Sequence, residues 1–177
     1  ARDWLHDRCL ATDQAQAEAM AEKGVAVITV PENRWGRVDI KSVGLLPNLL
    51  AKQAARETGA REAWFVDSSG HVTEGASSNA WIVLPGGVLV TRAPDHAILK
   101  GITRTTLFDL LRKEGRRIEE RSFTVEEAQG ALEAFITSAT SIVTPVVRID
   151  GRPVGNGEPG AVAAELRRTF HSAAELS

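Results

Sequence analysis

The sequence predicts an α+β fold, a mixed and largely antiparallel sheet with helices around it. Three observations predict it. Turn residues suited to tight hairpins stand between short apolar runs at Ser68-Ser69-Gly70, Pro85-Gly86-Gly87 and Asp150-Gly151. Leu46, Leu49, Leu50 and Ala54, and again Leu107, Leu110 and Leu111, fall at helical spacing. Hairpins join adjacent antiparallel strands, and helices interspersed with them serve to cover the sheet.

The elements follow in order. Ala15, Ala17, Ala19, Met20 and Ala21 sit in a polar, alanine-rich stretch that reads as a helix or a linker. Val25 to Val30 is a continuous apolar run, a buried strand, and Pro31-Glu32-Asn33 turns it. Asp39-Ile40-Lys41 leads toward a helix whose apolar face is Leu46, Leu49, Leu50 and Ala54, stopped by Gly59. Ala63 to Asp67, Asn79 to Leu84 and Val88 to Thr91 read as strands at the first two hairpins. Gly101-Ile102-Thr103 opens a helix that Gly115 ends. Thr124 followed by Glu127 forms a capping box. Ala134 to Thr137 is a strand running into a Thr/Ser turn. Val146 to Ile149 and Arg152 to Val154 make the third hairpin, and Ala161 to Ala174 is a final helix.

The 177 residues are 43% hydrophobic and 25% charged, enough for one domain with a real core. A net charge of -2 without a basic cluster argues against a nucleic-acid partner. No apolar run approaches a membrane span. Cys9, the one cysteine, allows neither an internal disulfide nor a cysteine metal cluster, and fits a reducing, cytoplasmic setting. His6, His71, His96 and His171 lack metal-ligand spacing, so no metal is expected. Ser77 and Ser78 lack the glycine-flanked elbow of a serine hydrolase. Trp35, Trp64 and Trp81 read as core or near-core residues.

Four segments could carry chemistry. Lys41 stands among Val38, Ile40, Val43, Leu45 and Leu46, an apolar neighbourhood that would disfavour its charged form and free the amine for a Schiff base. The competing reading is a surface lysine at a strand end. Glu74, followed by Gly75, is a carboxylate that could hold a proton on a pyridine nitrogen, or else a solvated turn residue. Gly101-Ile102-Thr103 could cradle a phosphate at a helix N-terminus, or simply cap that helix. Thr137-Ser138-Ala139-Thr140-Ser141 offers further small donors, or a plain polar turn. An amine, a carboxylate and two such turns are what a protein needs to hold pyridoxal phosphate.

In chain order, Arg34-Trp35, Asp39-Ile40-Lys41-Ser42, Ala51-Lys52-Gln53, Thr73-Glu74-Gly75, Ser78-Asn79, Ile98 through Arg104 and Thr144-Pro145 resemble the fold-type IV pyridoxal-phosphate enzymes. That family holds D-amino acid aminotransferases, branched-chain aminotransferases and aminodeoxychorismate lyases. The resemblance implies the C-terminal large domain of that fold, a mixed sheet or barrel with surrounding helices. It implies pyridoxal 5′-phosphate as cofactor, with Lys41 as its Schiff-base lysine and proton shuttle and Glu74 on the pyridine nitrogen. By the same resemblance, Arg34 supports Glu74, and Leu99 packs on the ring face. Gly101, Ile102, Thr103, Ser138 and Ala139 would hold the phosphate, and Thr140 would face the substrate. Relatives often carry threonine where Ala139 stands.

The run Glu74 to Trp81 is most similar to the D-amino acid aminotransferases, which makes a D-amino acid, D-alanine by default, and a 2-oxo acid the expected substrates. A branched-chain L-aminotransferase, a lyase or a non-catalytic truncated domain are the alternatives. The resemblance also implies a homodimer. Family members carry an N-terminal domain that residues 1–24 do not resemble. Those residues are therefore expected to be an interdomain linker or remnant, and 25–177 the cofactor-binding domain of a longer protein.

Overall fold

Side chains on both sides of the central strands are buried, which is why the sequence shows continuous apolar runs there. The computed structural model of the chain describes residues 15–175; the expectations for 1–14, Cys9 and His6 among them, lie outside the described residues. The strands are β1 Val25–Pro31, β2 Glu62–Val66, β3 Val72–Gly75, β4 Asn79–Leu84, β5 Val88–Thr91, β6 Ile118–Glu120, β7 Glu133–Ser138, β8 Ile142–Ile149 and β9 Arg152–Pro153. The helices are α1 (15–23), α2 Leu46–Glu57, α3 Ile102–Lys113, α4 Val125–Gln129 and α5 Ala161–Glu175.

The strands form one sheet in the order β3-β2-β1-β8-β7-β4-β5-β6, with β9 on β8. The pairs β2–β3, β4–β5, β4–β7, β7–β8 and β8–β9 are antiparallel; β1–β2, β1–β8 and β5–β6 are parallel. The sheet is mixed and mostly antiparallel, as expected. Its two ends approach each other: Val72 N–H donates to Phe123 O at 3.0 Å, and His71 bridges Thr124, just past β6. The sheet therefore curls toward a barrel.

Strand parity assigns the core. Trp64, Ile82 and Ile136 point into the curl with Val25, Val72, Phe123 and Val146. Trp81, Val83 and Phe135 point outward under Leu107 and Leu111 of α3 and Leu166 of α5. Trp81 and Phe135 stack with ring centroids 5.6 Å apart. Each fully buried side chain of this size contributes about 1.5–3 kcal/mol. A third cluster lies between α2 and the strands β1 and β2.

The three hairpins form as read. At Asp150-Gly151 both residues have positive φ, 50° and 77°, the turn whose twist matches the strands it joins. Thr124 caps α4 by accepting from Glu127 N–H at 3.1 Å. The Glu127 carboxylate pairs with Arg121 instead of closing the box.

Two expectations are corrected. The buried face of α2 is Ala51 and Ala55, while Leu46, Leu49 and Leu50 are 66%, 62% and 60% exposed. Small side chains let the helix lie close on Ala63 and Phe65, and the leucines then face away. Trp35 is 51% exposed, in the loop after β1, whereas Trp64 and Trp81 are buried. The strand β6, three residues long, was too short for any periodicity to reveal. Ile142, at the start of β8, has φ 60°, a conformation that costs a β-branched residue about 1–3 kcal/mol.

Candidate active site

A cleft of about 500 Å³ opens between the loop after β1, the β3–β4 turn, the N-terminus of α3 and the end of β7. Lys41, Glu74, Arg34, Leu99, Gly101, Ile102, Thr103, Ser138 and Ala139 all line it. Residues from four separate stretches are thus gathered around one space. Thr140 is the exception. It lines a separate hollow of about 70 Å³ with Lys52 and Arg61. The Ser138 hydroxyl accepts from Ser141 N–H at 3.2 Å and pairs with its Oγ at 2.8 Å, so the turn closes tightly, with Ser138 lining both spaces.

Glu74 is the most constrained group in the cleft. It is 6% exposed, on β3, a short strand buried along its length. Arg34 Nη1 donates to its Oε1 at 2.6 Å. Its Oε2 accepts from Asn79 Nδ2 at 3.1 Å and from Leu99 N–H at 3.0 Å. Burial pushes the Glu74 carboxyl up to about 7, against the pull of Arg34 and the Leu99 N–H. A turn glutamate in solvent, the alternative reading of the sequence, is thereby ruled out.

Arg34 is held just as firmly. Its Nε and Nη2 grip Glu32 at 2.8 and 2.6 Å, and Nη2 also reaches Ala97 O at 3.1 Å. Its guanidinium lies 4.3 Å from the Phe65 ring centroid. Burial opposes ionisation of Glu32, yet Arg34 and Thr73 hold its carboxyl below the usual range. Two carboxylates share one guanidinium in a partly buried network, and the Glu32 charge adds to the upward push on Glu74.

The β3–β4 turn is pinned from behind by Glu62, 3% exposed at the head of β2. Glu62 Oε2 accepts from Ser77 N–H at 3.2 Å, Ser77 Oγ at 2.9 Å and Ser78 Oγ at 3.1 Å. Lys52 Nζ donates to Ser77 Oγ at 2.7 Å, and Asn48 Nδ2 to Ala76 O at 2.9 Å. A Cβ on Gly75 would strike Ser78 Oγ, which is why this turn takes glycine. Asn79 also donates to Leu99 O at 2.9 Å, and a Cβ on Gly101 would meet the Asn79 side-chain oxygen. Gly101 thus lets the start of α3 lie against the β3–β4 turn.

Sequence reasoning missed the work of Glu32, Glu62 and Asn79. The signal for Glu62 was an acid opening an otherwise apolar strand, Glu62-Ala63-Trp64-Phe65-Val66; a buried acid demands partners.

Lys41 stands in the loop before α2 and is exposed. Its apolar neighbours do not bury it: Ile40, Leu45 and Val43 are 46%, 49% and 100% exposed. The apolar neighbours expected to bury the amine therefore do not do so within this chain, because they stand in a loop at the cleft mouth and enter no core.

The donor set fits pyridoxal phosphate. Glu74 is a fixed carboxylate for a ring N–H, Lys41 an amine on the same cleft, and Leu99 an apolar wall. The first N–H groups of α3 have no partner within the helix and favour an anion, beside Thr103, Ser138 and Ala139. Among the described residues no three His, Cys, Asp or Glu side chains could hold a metal ion.

Comparison with known proteins agrees with this geometry. Residues 8–149 match the family described as amino-transferase class IV. The chain is 39% identical over 155 residues to the D-alanine aminotransferase of Bacillus licheniformis, covering 88% of this chain and 54% of that protein. It is 41% identical over 148 residues to the D-alanine aminotransferase of Listeria monocytogenes, covering 84% and 50%. This chain thus spans about half the length of these curated relatives. Among solved structures, a branched-chain amino acid aminotransferase complexed with N-(5'-phosphopyridoxyl)-L-glutamate superposes with a TM-score of 0.78 at 32% identity, over 88% of this chain and 53% of that one. The branched-chain aminotransferase of Thermoproteus uzoniensis gives 0.75 at 32% identity, over 85% and 51%. The curled mixed sheet, the cleft and the ordered motifs share one explanation: this chain belongs to the class IV aminotransferase family.

Proposed function

We propose that the chain carries the pyridoxal-phosphate site of an aminotransferase that moves an amino group from a D-amino acid, D-alanine foremost, to a 2-oxo acid. The observation that carries this reading is the cleft shared by Lys41 and a Glu74 carboxylate fixed by three donors. The names of relatives about 40% identical favour D-alanine. The structural neighbours named as branched-chain enzymes favour a second reading, an L-branched-chain amino acid.

When bound, the cofactor supplies an aldehyde and a ring that takes up electrons. The chain's residues do the rest. The Lys41 amine would hold the aldehyde carbon, whose oxygen would leave as water, and would carry a proton to and from the substrate carbon. Glu74, backed by Arg34, keeps a proton on the ring nitrogen. Leu99 would supply an apolar wall beside the ring. The start of α3, Gly101, Ile102 and Thr103, with Ser138 and Ala139, holds the phosphate. Thr140, facing the small hollow, approaches the substrate only if the turn reorients.

Exposed apolar side chains at the cleft mouth, Trp35, Ile40, Leu45 and Ile102, support a homodimer that covers them. A cytoplasmic location rests on the lone Cys9.

The test is spectroscopic and kinetic. The protein with pyridoxal phosphate should show a Schiff-base absorbance band, and Lys41→Ala should remove it together with turnover of D-alanine and 2-oxoglutarate. Transamination surviving in that variant defeats the assignment. Turnover of L-leucine in place of D-alanine selects the second reading.

A further inference from the structure

The turn that ends the cleft has an unexplained shape. Ser138 and Ala139 line the cleft. Four residues past Ser138, Ile142 takes φ 60° without being glycine. The turn's hydroxyls bond within the turn: Ser138 Oγ pairs with Ser141 Oγ at 2.8 Å and Thr140 Oγ1 at 3.4 Å, and accepts from Ser141 N–H at 3.2 Å. These short-range bonds do not specify a left-handed isoleucine.

Arg167 does. Its Nη1 donates to Ser141 O at 2.6 Å and to Val143 O at 3.1 Å, the carbonyls on either side of Ile142. A move of Ile142 to negative φ would rotate these peptide groups and break the bridge. Arg167 sits on α5, which is itself fixed to β7. The Glu133 carboxylate accepts from Val162 N–H and Ala163 N–H, both at 3.0 Å, and Ala163 and Leu166 are buried under the sheet. The helix is therefore tied to one end of β7 and grips the turn at the other. Burial lowers the Arg167 pKa and the Glu18 charge on α1 offsets part of that; a guanidinium stays charged in either case.

We propose that Arg167 is a positioning residue for the cofactor site: it holds the strained turn in the form that presents Ser138 and Ala139 to the bound phosphate. The proposal rests on the cofactor reading of the cleft. Strain concentrated beside a binding surface and maintained by contacts from elsewhere is how such sites are pre-shaped.

The 177-residue chain is titrated with pyridoxal 5′-phosphate by absorbance, and amide hydrogen exchange is followed over residues 139–143. Arg167→Ala should weaken affinity about tenfold and speed exchange in the turn. Arg167→Lys should recover part of the loss, since an ammonium can still reach a carbonyl. Adding Ile142→Gly to Arg167→Ala should recover most of it, because glycine accepts positive φ without strain. Unchanged affinity in Arg167→Ala, with only a lower melting temperature, overturns the proposal, and so does failure of Ile142→Gly to rescue. Wild-type protein that binds no cofactor is a different result. It rejects the reading of the cleft itself, and the positioning role with it.

Discussion

Glu74 and Arg34 show how much one ion pair depends on its surroundings. Arg34 has a side chain 3% exposed and is shared by two carboxylates. Arg34→Met should destabilise the protein by up to about 3–5 kcal/mol in urea unfolding, since the buried Glu74 would lose its cationic partner and Glu32 would keep only neutral donors, Thr73 among them. Glu74 predicts a pH dependence of the opposite sense to most carboxylates. Its folded pKa, about 7, lies above the ordinary 4.5, so the folded state binds its proton more tightly. The associated stability is present in full below 4.5 and is lost as pH rises through 7. Between those limits wild-type stability should fall relative to Glu74→Gln, by up to ~3 kcal/mol at full shift. Thermal melts of the two proteins across this range check it; parallel curves would refute it.

Among the elements, α3 connects core and cleft. Leu107 and Leu111 bury its body while its first turn faces the cleft. Leu107→Ala should cost about 2–5 kcal/mol in the denaturation midpoint, the range for a cavity in a packed interior. Gly101→Ala acts on the other end. The added methyl meets the Asn79 side chain, which would release Glu74 or Leu99. We expect a stability loss of about 1–3 kcal/mol, with weakened pyridoxal-phosphate binding, read by absorbance titration. In α2, alanines set the distance to the sheet, and the leucines read as its core face are turned outward.

For the whole molecule, the exposed side chains carry the message. Val43, Leu46, Leu49 and Leu50 leave an apolar surface running from the cleft mouth along α2. Leu49→Glu should change the monomer's stability by less than about 0.5 kcal/mol, as for other surface positions, while shifting the association equilibrium toward monomer in sedimentation. A fully monomeric wild type would remove the basis for a dimer covering this face. Among the described residues no helix is long and apolar enough to cross a membrane.

The sequence by itself determined the hairpin turns, most of the strands though not β3 or β6, the α3 stripe and the order of the motifs, because turn chemistry and side-chain periodicity are local. It also named Lys41, Glu74 and the two small turns, while Arg34 and Leu99 came from the family resemblance; all of them reach the cleft except Thr140 and Ser141. Only the tertiary structure decided that α2 buries its alanines, that β1 pairs in parallel with β2 and β8, and that Trp35 and Lys41 stand in solvent. Those outcomes depend on which surfaces meet across long stretches of chain. The partners of Glu74 lie 40, 5 and 25 residues away, and the grip of Arg167 on Ser141 spans 26, separations at which no local pattern reports a contact.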